Sequence, residues 1–407
     1  MRSSGHLPRA FSLYLDGVRF LAAVAVLLDH LTSFPFTGIH DGPRHGILLI
    51  GNYGTSAVTV FFVLSGFVIA YVTTQRETDL RSFVVSRASR LYSVVIPALV
   101  LTFLFDSAGQ ALRPEFYAWP KILGHGATLA GYLSSSLFLN EYHVFHFGGI
   151  APGSNGPFWS LSFEATYYAG AALLLFTSRT WAIPLTLLLL FCAGPTIAVL
   201  APVWIMGFAA FRLGEVRLRT SALVFIVVVS AALVLIAPLL LHPITGRSFG
   251  MSFRWGRGLI ERDLGKDYVT AVAMTVHLVA SRSLLARWPH CLDHARRPLR
   301  ALGASTFPLY AMHFPTLAFA AAISPFAHNG PLHVLWLCLF TAALVGVATP
   351  GCDWLKIRLR MLGDLGHPSA GGPVASPNSQ STEELLHVGA LSPAAQGSLQ
   401  PPNSTCR

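Results

Sequence analysis

Long apolar runs alternate with short basic clusters over most of this chain, and the alternation predicts a succession of membrane-spanning helices. The first run predicts a helix over about residues 11–32, followed by a loop containing glycine, proline and histidine to about 55. A second helix over about 56–75 carries FFVLSGFVIAY and gives way to Arg76, Arg81, Arg87 and Arg90. A third covers about 91–107. The moderately apolar piece at about 122–139 lies between polar stretches and can span, re-enter or lie at the interface. Further helices are expected at about 157–177 and 181–211, the latter interrupted by Pro184, Pro195 and Pro202 and followed by Arg212, Arg217 and Arg219. One more at 221–241 leads into a polar loop, 242–267, and another at 268–285 leads into the basic run from Arg282 to Arg300. Helices at about 303–323 and 332–350 precede Lys356, Arg358 and Arg360.

Basic clusters mark cytoplasmic loops, so an even number of crossings should separate Arg90 from Arg212. Either the 122–139 piece spans and 181–211 is one unbroken span, or the prolines divide 181–211 into two spans and the 122–139 piece does not cross. Both alternatives give about ten spans with both termini inside. The expected fold is all-α: a polytopic helix bundle of about ten transmembrane helices. It would occupy residues 11–363, after a cytoplasmic N-terminus at 1–10. From 364 to 407 the chain turns to Gly, Pro, Ser, Gln and Asn, a composition expected to be disordered.

Composition agrees: 53% of the 407 residues are hydrophobic and 11% charged, which belongs to a membrane protein. The net charge of +10 would suit a nucleic-acid binder, but its distribution in clusters between apolar runs points to topology instead. The five cysteines are scattered, with no CxxC pair, so neither a disulfide framework nor a zinc site is expected. No cleavable signal is expected at the N-terminus, where charges interrupt the first apolar run.

The first helix carries Asp16, Arg19, Asp29 and His30 in LDGVRFLAAVAVLLDHL. A charge at membrane depth costs about 2.5–3.5 kcal/mol on insertion scales, so such residues are usually buried in protein and functional. Eleven helical steps of about 100° bring His30 back to within roughly 20° of Arg19, about 16 Å along the axis. The two therefore share one stripe, which suggests a polar path through the bilayer. Asp16, three residues before Arg19, can pair with it locally. His30 can act as a general base or be a hydrogen-bonded core histidine. Asp29 projects about 100° away from it and is expected to contact another helix or the water boundary.

Arg87 and Arg90 form an RxxR pair, which suits phosphate binding or topology alone. Trp159, Ser160, Glu164 and Tyr168 recur at helical offsets in NGPFWSLSFEATYY; Glu164 can hold a substrate hydroxyl or neutralise an arginine. Ser65-Gly66 reads as a close helix contact. Tyr310 and His313 lie one turn apart in a helix opened by STFPLY, with proline in its first turn. They form either a second polar face or an interfacial anchor.

LDGVRFLAAVAVLLDH, FFVLSGFVIAY, SRASRLYSVVIPAL, GPFWSLSFEATYY and STFPLYAMHFP, in this order and spacing over roughly residues 11–350, resemble the acyltransferase 3 family. The resemblance implies a ten-helix integral membrane O-acyltransferase of the bacterial inner membrane. Such enzymes pass an acyl group, usually acetyl, from cytoplasmic acyl-CoA to a sugar hydroxyl of a surface or secreted glycan. By the same resemblance His30 and Arg19 are the catalytic pair, and Arg87 and Arg90 hold acyl-CoA. Asp16, Trp159, Ser160, Glu164, Tyr310 and His313 bind substrate or support the site. The partners implied are acyl-CoA as donor substrate, a glycan or lipid-linked sugar, and the bilayer, with no metal, bound cofactor or nucleic acid. One family feature differs: a Glu-Arg-Pro or Glu-Lys-Pro sequence often ends the last helix, whereas here Ala348-Thr349-Pro350 stands. The competing reading is a transporter or flippase whose buried Arg, His and Glu bind a glycan during alternating access.

Overall fold

The computed structural model describes residues 7–32, 53–123, 127–145, 149–244, 250–255, 258–328 and 330–364. The tail expected beyond 364 lies outside them, as do residues 1–6 of the expected cytoplasmic N-terminus.

The described chain is a helix bundle. α1 (Arg9–Leu31) and α2 (Gly54–Gln75) are followed by α3 (Leu80–Leu112), which starts well before the expected residue 91. Asp79 caps α3, its carboxylate accepting from the Ser82 amide at 2.9 Å. The cap sets the start of the helix ahead of the arginines, so Arg81, Arg87 and Arg90 ride on α3 and not in a loop.

The piece at 122–139 does not span. After the short helix α4 (Pro114–Tyr117), it holds only the end of α5 (Pro120–Leu123) and the two-turn α6 (Leu129–Ser136). Eight residues of helix rise only about 12 Å, well short of a hydrocarbon core of about 30 Å. After α7 (Trp159–Phe176), the stretch expected at 181–211 divides into α8 (Arg179–Ala193) and α9 (Pro195–Leu213). Gly194 stops α8 at φ +103°, a conformation open to glycine, and Pro195 begins α9. Of the two counts above, the structure has the one with a divided 181–211.

α10 (Thr220–Ile244) leads to an antiparallel ribbon, β1 (Gly250–Trp255) and β2 (Gly258–Asp263), in register from Gly250↔Asp263 to Trp255↔Gly258. This ribbon occupies the expected polar loop. α11 (Leu264–Leu285), α12 (Arg296–Ala322) and α13 (Pro331–Asp364) complete the chain. α12 begins seven residues before the expected 303, so Pro308 is interior to it and not in its first turn. α13 likewise continues through Pro350.

Seven of these helices, α1, α2, α3, α9, α10, α11 and α13, are long and apolar enough to cross a membrane. α7, α8 and α12 are not among them, so length and composition alone do not establish the count of ten. Large apolar side chains of α8 and α10, among them Trp181, Leu187, Phe191, Phe225 and Val228, are exposed on the outside of the bundle, as suits lipid-facing helices.

Inside, Phe67 of α2 meets Phe11 of α1 and Phe211 of α9 edge to face, at centroid distances of 5.6 and 5.5 Å. Phe62 stacks on Phe163 of α7 at 5.8 Å. α2 and α9 touch backbone to backbone, because a Cβ at Gly66 would run into the Trp204 carbonyl and one at Gly207 into that of Val63. The expected role of Gly66 as a close helix contact is thus met on α9. α1 and α12 run parallel: Asp16 meets Arg300 and Gly303, Ala23 clusters with Leu309, and His30 meets His313.

A side chain at either glycine must push α2 and α9 apart, and overpacking of this kind costs about 1–3 kcal/mol. Gly66→Val and Gly207→Val are each expected to lower the unfolding temperature in detergent. Gly346→Val, with nothing within 4 Å of its Cβ position, should leave it unchanged.

Candidate functional site

α1, α2, α3, α7 and α12 enclose a polar cavity inside the apolar bundle. Arg19, Ser65, Arg90, Ser160, Glu164 and Tyr310 line it, with Phe61, Phe62 and Phe307 as apolar wall. Arg19 and Arg90 lie within electrostatic reach of one another, and both are reached by the negative charge of Glu164. Glu164 and Tyr168 are one turn apart on α7, and the Tyr168 hydroxyl donates to Glu164 Oε1. Ser65 Oγ lies 3.5 Å from the same oxygen and accepts from Trp204 Nε1 at 3.2 Å. One carboxylate, held by two hydroxyls, thus stands beside two half-buried guanidinium groups. Of the two readings of Glu164 from sequence, the arrangement matches arginine neutralisation.

On the other side of the cavity Ser160 Oγ and the Tyr310 hydroxyl are 2.5 Å apart. The Tyr310 hydroxyl also lies 3.1 Å from the Pro157 carbonyl, which can only accept. Tyr310 has a single O–H, so it donates to Pro157 and Ser160 donates to Tyr310. One turn along α12, His313 Nδ1 is 2.7 Å from the Tyr310 carbonyl, which requires the proton on Nδ1 and leaves Nε2 as acceptor. That Nε2 is buried with no hydrogen-bond partner in the protein. The His313 ring stacks on His30 at 5.2 Å, and Phe314 closes the edge of His30 at the same distance. Tyr310 and His313 are therefore a buried polar face against α1, not an interfacial anchor.

Arg19 and His30 lie three turns apart on α1, and His30 faces α12. Arg19 opens on the cavity, while His30 lies beyond Tyr310 and His313 and is not part of its lining. Arg87 sits next to the cavity, 2.8 Å from Glu77, with its guanidinium over the Phe83 and Tyr168 rings at 5.8 Å each. Both arginines of the RxxR pair thereby meet at Tyr168.

Asp16 has a second partner beyond the expected one. It forms an ion pair with Arg300 of α12, at 2.6 Å, and its charge also acts on Arg19 one turn along α1. Parallel packing of α1 on α12 brings the Arg300 guanidinium directly alongside, where Ser12 also accepts from it at 3.1 Å. Asp29 contacts another helix as expected, with its carboxylate against Gly54 at the start of α2. Trp159 packs edge-on against Phe163 at 5.0 Å and is not part of the lining.

The chain before α7 is fastened on both sides. Asp106 of α3 accepts from the Ser154 amide at 2.7 Å. Asn155 Nδ2 donates to the Ala311 carbonyl of α12 at 2.9 Å and to Thr102 Oγ1 of α3 at 3.3 Å. Gly153, at φ +59°, leaves room for the Asp106 carboxylate. These bonds hold Pro157 and Ser160 against Tyr310. The sequence reading missed Asp106, Asn155 and Trp204. An acidic residue in an apolar run was the available signal for Asp106, whereas Asn155 and Trp204 carried none.

Among the described residues no group of three or more His, Cys, Asp or Glu side chains is placed to hold a metal ion.

A family model described as "Acyltransferase domain" matches residues 12–349. Acyltransferase MdmB of Streptomyces mycarofaciens is 30% identical over 155 residues, which is 38% of this chain and 36% of that protein. The chain thus aligns with little more than a third of that relative's length. No solved structure matches.

Removing Asp16 would leave Arg300 half-buried and unpaired. Breaking one side of a fully buried pair costs about 3–5 kcal/mol, and partial exposure of Arg300 reduces that toward about 1–2 kcal/mol. Asp16→Ala should lower the unfolding temperature, and Asp16→Ala with Arg300→Met should recover most of the loss, as read by thermal scanning of the purified variants.

Proposed function

The chain belongs to the acyltransferase 3 family, and on that footing we propose that it is a membrane-bound O-acyltransferase. It takes an acyl group, acetyl in the simplest case, from cytoplasmic acyl-CoA and passes it to a hydroxyl of a sugar in a cell-surface or secreted glycan. The observation that carries this reading is the cavity where Arg19, Arg90, Glu164, Ser160 and Tyr310 converge, with His313 next to Tyr310 and His30 stacked on His313.

The roles follow from chemistry. Arg87 and Arg90 hold the phosphates of the donor, and Arg19 faces the thioester end, where a cation polarises the carbonyl oxygen as negative charge develops. His30 takes the proton of the acceptor hydroxyl while that oxygen attacks the thioester carbon. The carbon–sulfur bond then breaks, the CoA thiolate leaves and takes up a proton, and the new ester departs with the sugar. His313 positions His30: its Nδ1 is tied to the Tyr310 carbonyl, which fixes its ring against the catalytic imidazole. Ser160 and Tyr310 form the polar wall between the donor and acceptor ends. In this reading the protein lies in a bacterial inner membrane with both termini in the cytoplasm, which the basic clusters support.

His30→Ala should keep acyl-CoA binding and lose turnover, by about 10²–10⁴-fold for a general base. Equilibrium binding to purified protein reads the first effect, and radiolabel transfer from acetyl-CoA to glycan in membranes the second. Full turnover in the variant would remove His30 from the chemistry. Arg87→Ala combined with Arg90→Ala should raise the donor Kd by roughly a hundredfold, as expected for two lost charged contacts. An unchanged Kd would return the pair to a topological role.

A further inference from the structure

α13 continues to Asp364, past residue 349 where the family match ends. The extension runs antiparallel to the first half of α3, and two contacts fix its register. Cys352 shares a buried cluster with Val94 and Ala98 of α3. Further along, Gly363 lies against Val85, and its carbonyl accepts from Arg81 Nη2 at 2.8 Å. Between these contacts Lys356 lies one turn beyond Cys352, and Arg90 one turn before Val94. The two cations therefore stand abreast, and Lys356 is within electrostatic reach of Arg90, Arg87 and Arg360.

Four cations on two helices thus gather around few anions. Glu77 is paired with Arg87, Asp353 lies beside Lys356, and Glu164 is shared between Arg90 and Arg19. Arg87 is only 8% exposed, and its Nε and Nη1 have no hydrogen-bond partner. Like charges this close repel, the more so away from bulk water, so the arrangement is built for a multivalent anion. Guanidinium forks with an ammonium beside them are the donor set that phosphate oxygens take.

We propose that Lys356, with Arg360 beside it, completes a phosphate-binding basin with Arg87 and Arg90, and that its ligand is the diphosphate of a nucleotide-bearing acyl thioester. This rests on the acyl-CoA reading above and adds the last helix to the donor site. An anionic lipid headgroup offers the same phosphate chemistry, and the test separates the two.

The full-length protein in phosphatidylcholine nanodiscs is assayed with acetyl-CoA and with S-acetylpantetheine, which lacks every phosphate. Lys356→Gln should raise KM for acetyl-CoA by roughly tenfold or more, the loss expected for one charged contact, with kcat retained and S-acetylpantetheine unaffected. Lys356→Arg should restore most of the affinity. Arg358→Gln, whose guanidinium lies over Trp354, should behave as wild type. Equal loss for both thioesters, or no loss for acetyl-CoA, overturns the proposal while leaving the acyltransferase reading intact. So does a thermal stabilisation by phosphatidylglycerol nanodiscs that depends on Lys356 when acetyl-CoA affinity does not. A wild-type protein that binds no acetyl-CoA refutes both readings.

Discussion

Keeping Arg19 and Arg90 close together inside an apolar bundle is the constraint on which the rest of the structure turns. Two guanidinium groups in such surroundings repel, and each is partly withdrawn from water. The compensation comes from a third helix. Glu164 acts on both arginines, and Tyr168, one turn away, holds the carboxylate in place with its hydroxyl. α1 and α3 can approach only where α7 supplies that negative group. The polar interior is thus a condition for helix assembly, in the sense that apolar packing alone would leave two unmatched charges inside the bundle.

α12 organises the other half of the site. Its Arg300 neutralises Asp16, its Tyr310 receives Ser160, and its His313 lies flat against His30. The Arg300 and His313 contacts rely on α1 and α12 running parallel, because only then do successive turns of one helix meet successive turns of the other. Asn155 ties the same helix to α3 through the Ala311 carbonyl, next to Tyr310 in sequence. Tyr310 is therefore held at its hydroxyl by Pro157 and Ser160 and flanked by a backbone group that cannot drift.

What could be read in the chain beforehand was what helical periodicity controls. The spacing of Arg19 and His30 puts both on one stripe of α1, and the i,i+4 relation of Glu164 and Tyr168 sets the tyrosine hydroxyl on the carboxylate. Long-range pairings stayed out of view. Asp16 has its expected basic neighbour three positions away, and a further partner, Arg300, 284 positions along the chain. Helix ends were misjudged where charge and proline were taken as stops. Arg296, Arg297 and Arg300 belong to α12, and Pro350 lies inside α13. A long helix can carry basic residues beyond the hydrocarbon, and neighbouring helices tolerate a missing amide hydrogen bond. The division of 181–211 was written in Gly194-Pro195, a pair that both ends one helix and begins the next.

The glycine contact between α2 and α9 has a mechanical consequence. With Gly66 and Gly207 seated on each other's main chains, these two segments cannot slide or rotate separately without a clash of carbonyl groups. They behave as one rigid strut. Ser65 and Trp204 belong to that strut, so the hydroxyl that steadies Glu164 moves only when the strut moves as a whole. Widening of the interior to admit a bulky guest is easier at the opposite wall, where α12 meets α1 with a side chain in each contact, as at Gly303 against Asp16 and His30 against His313.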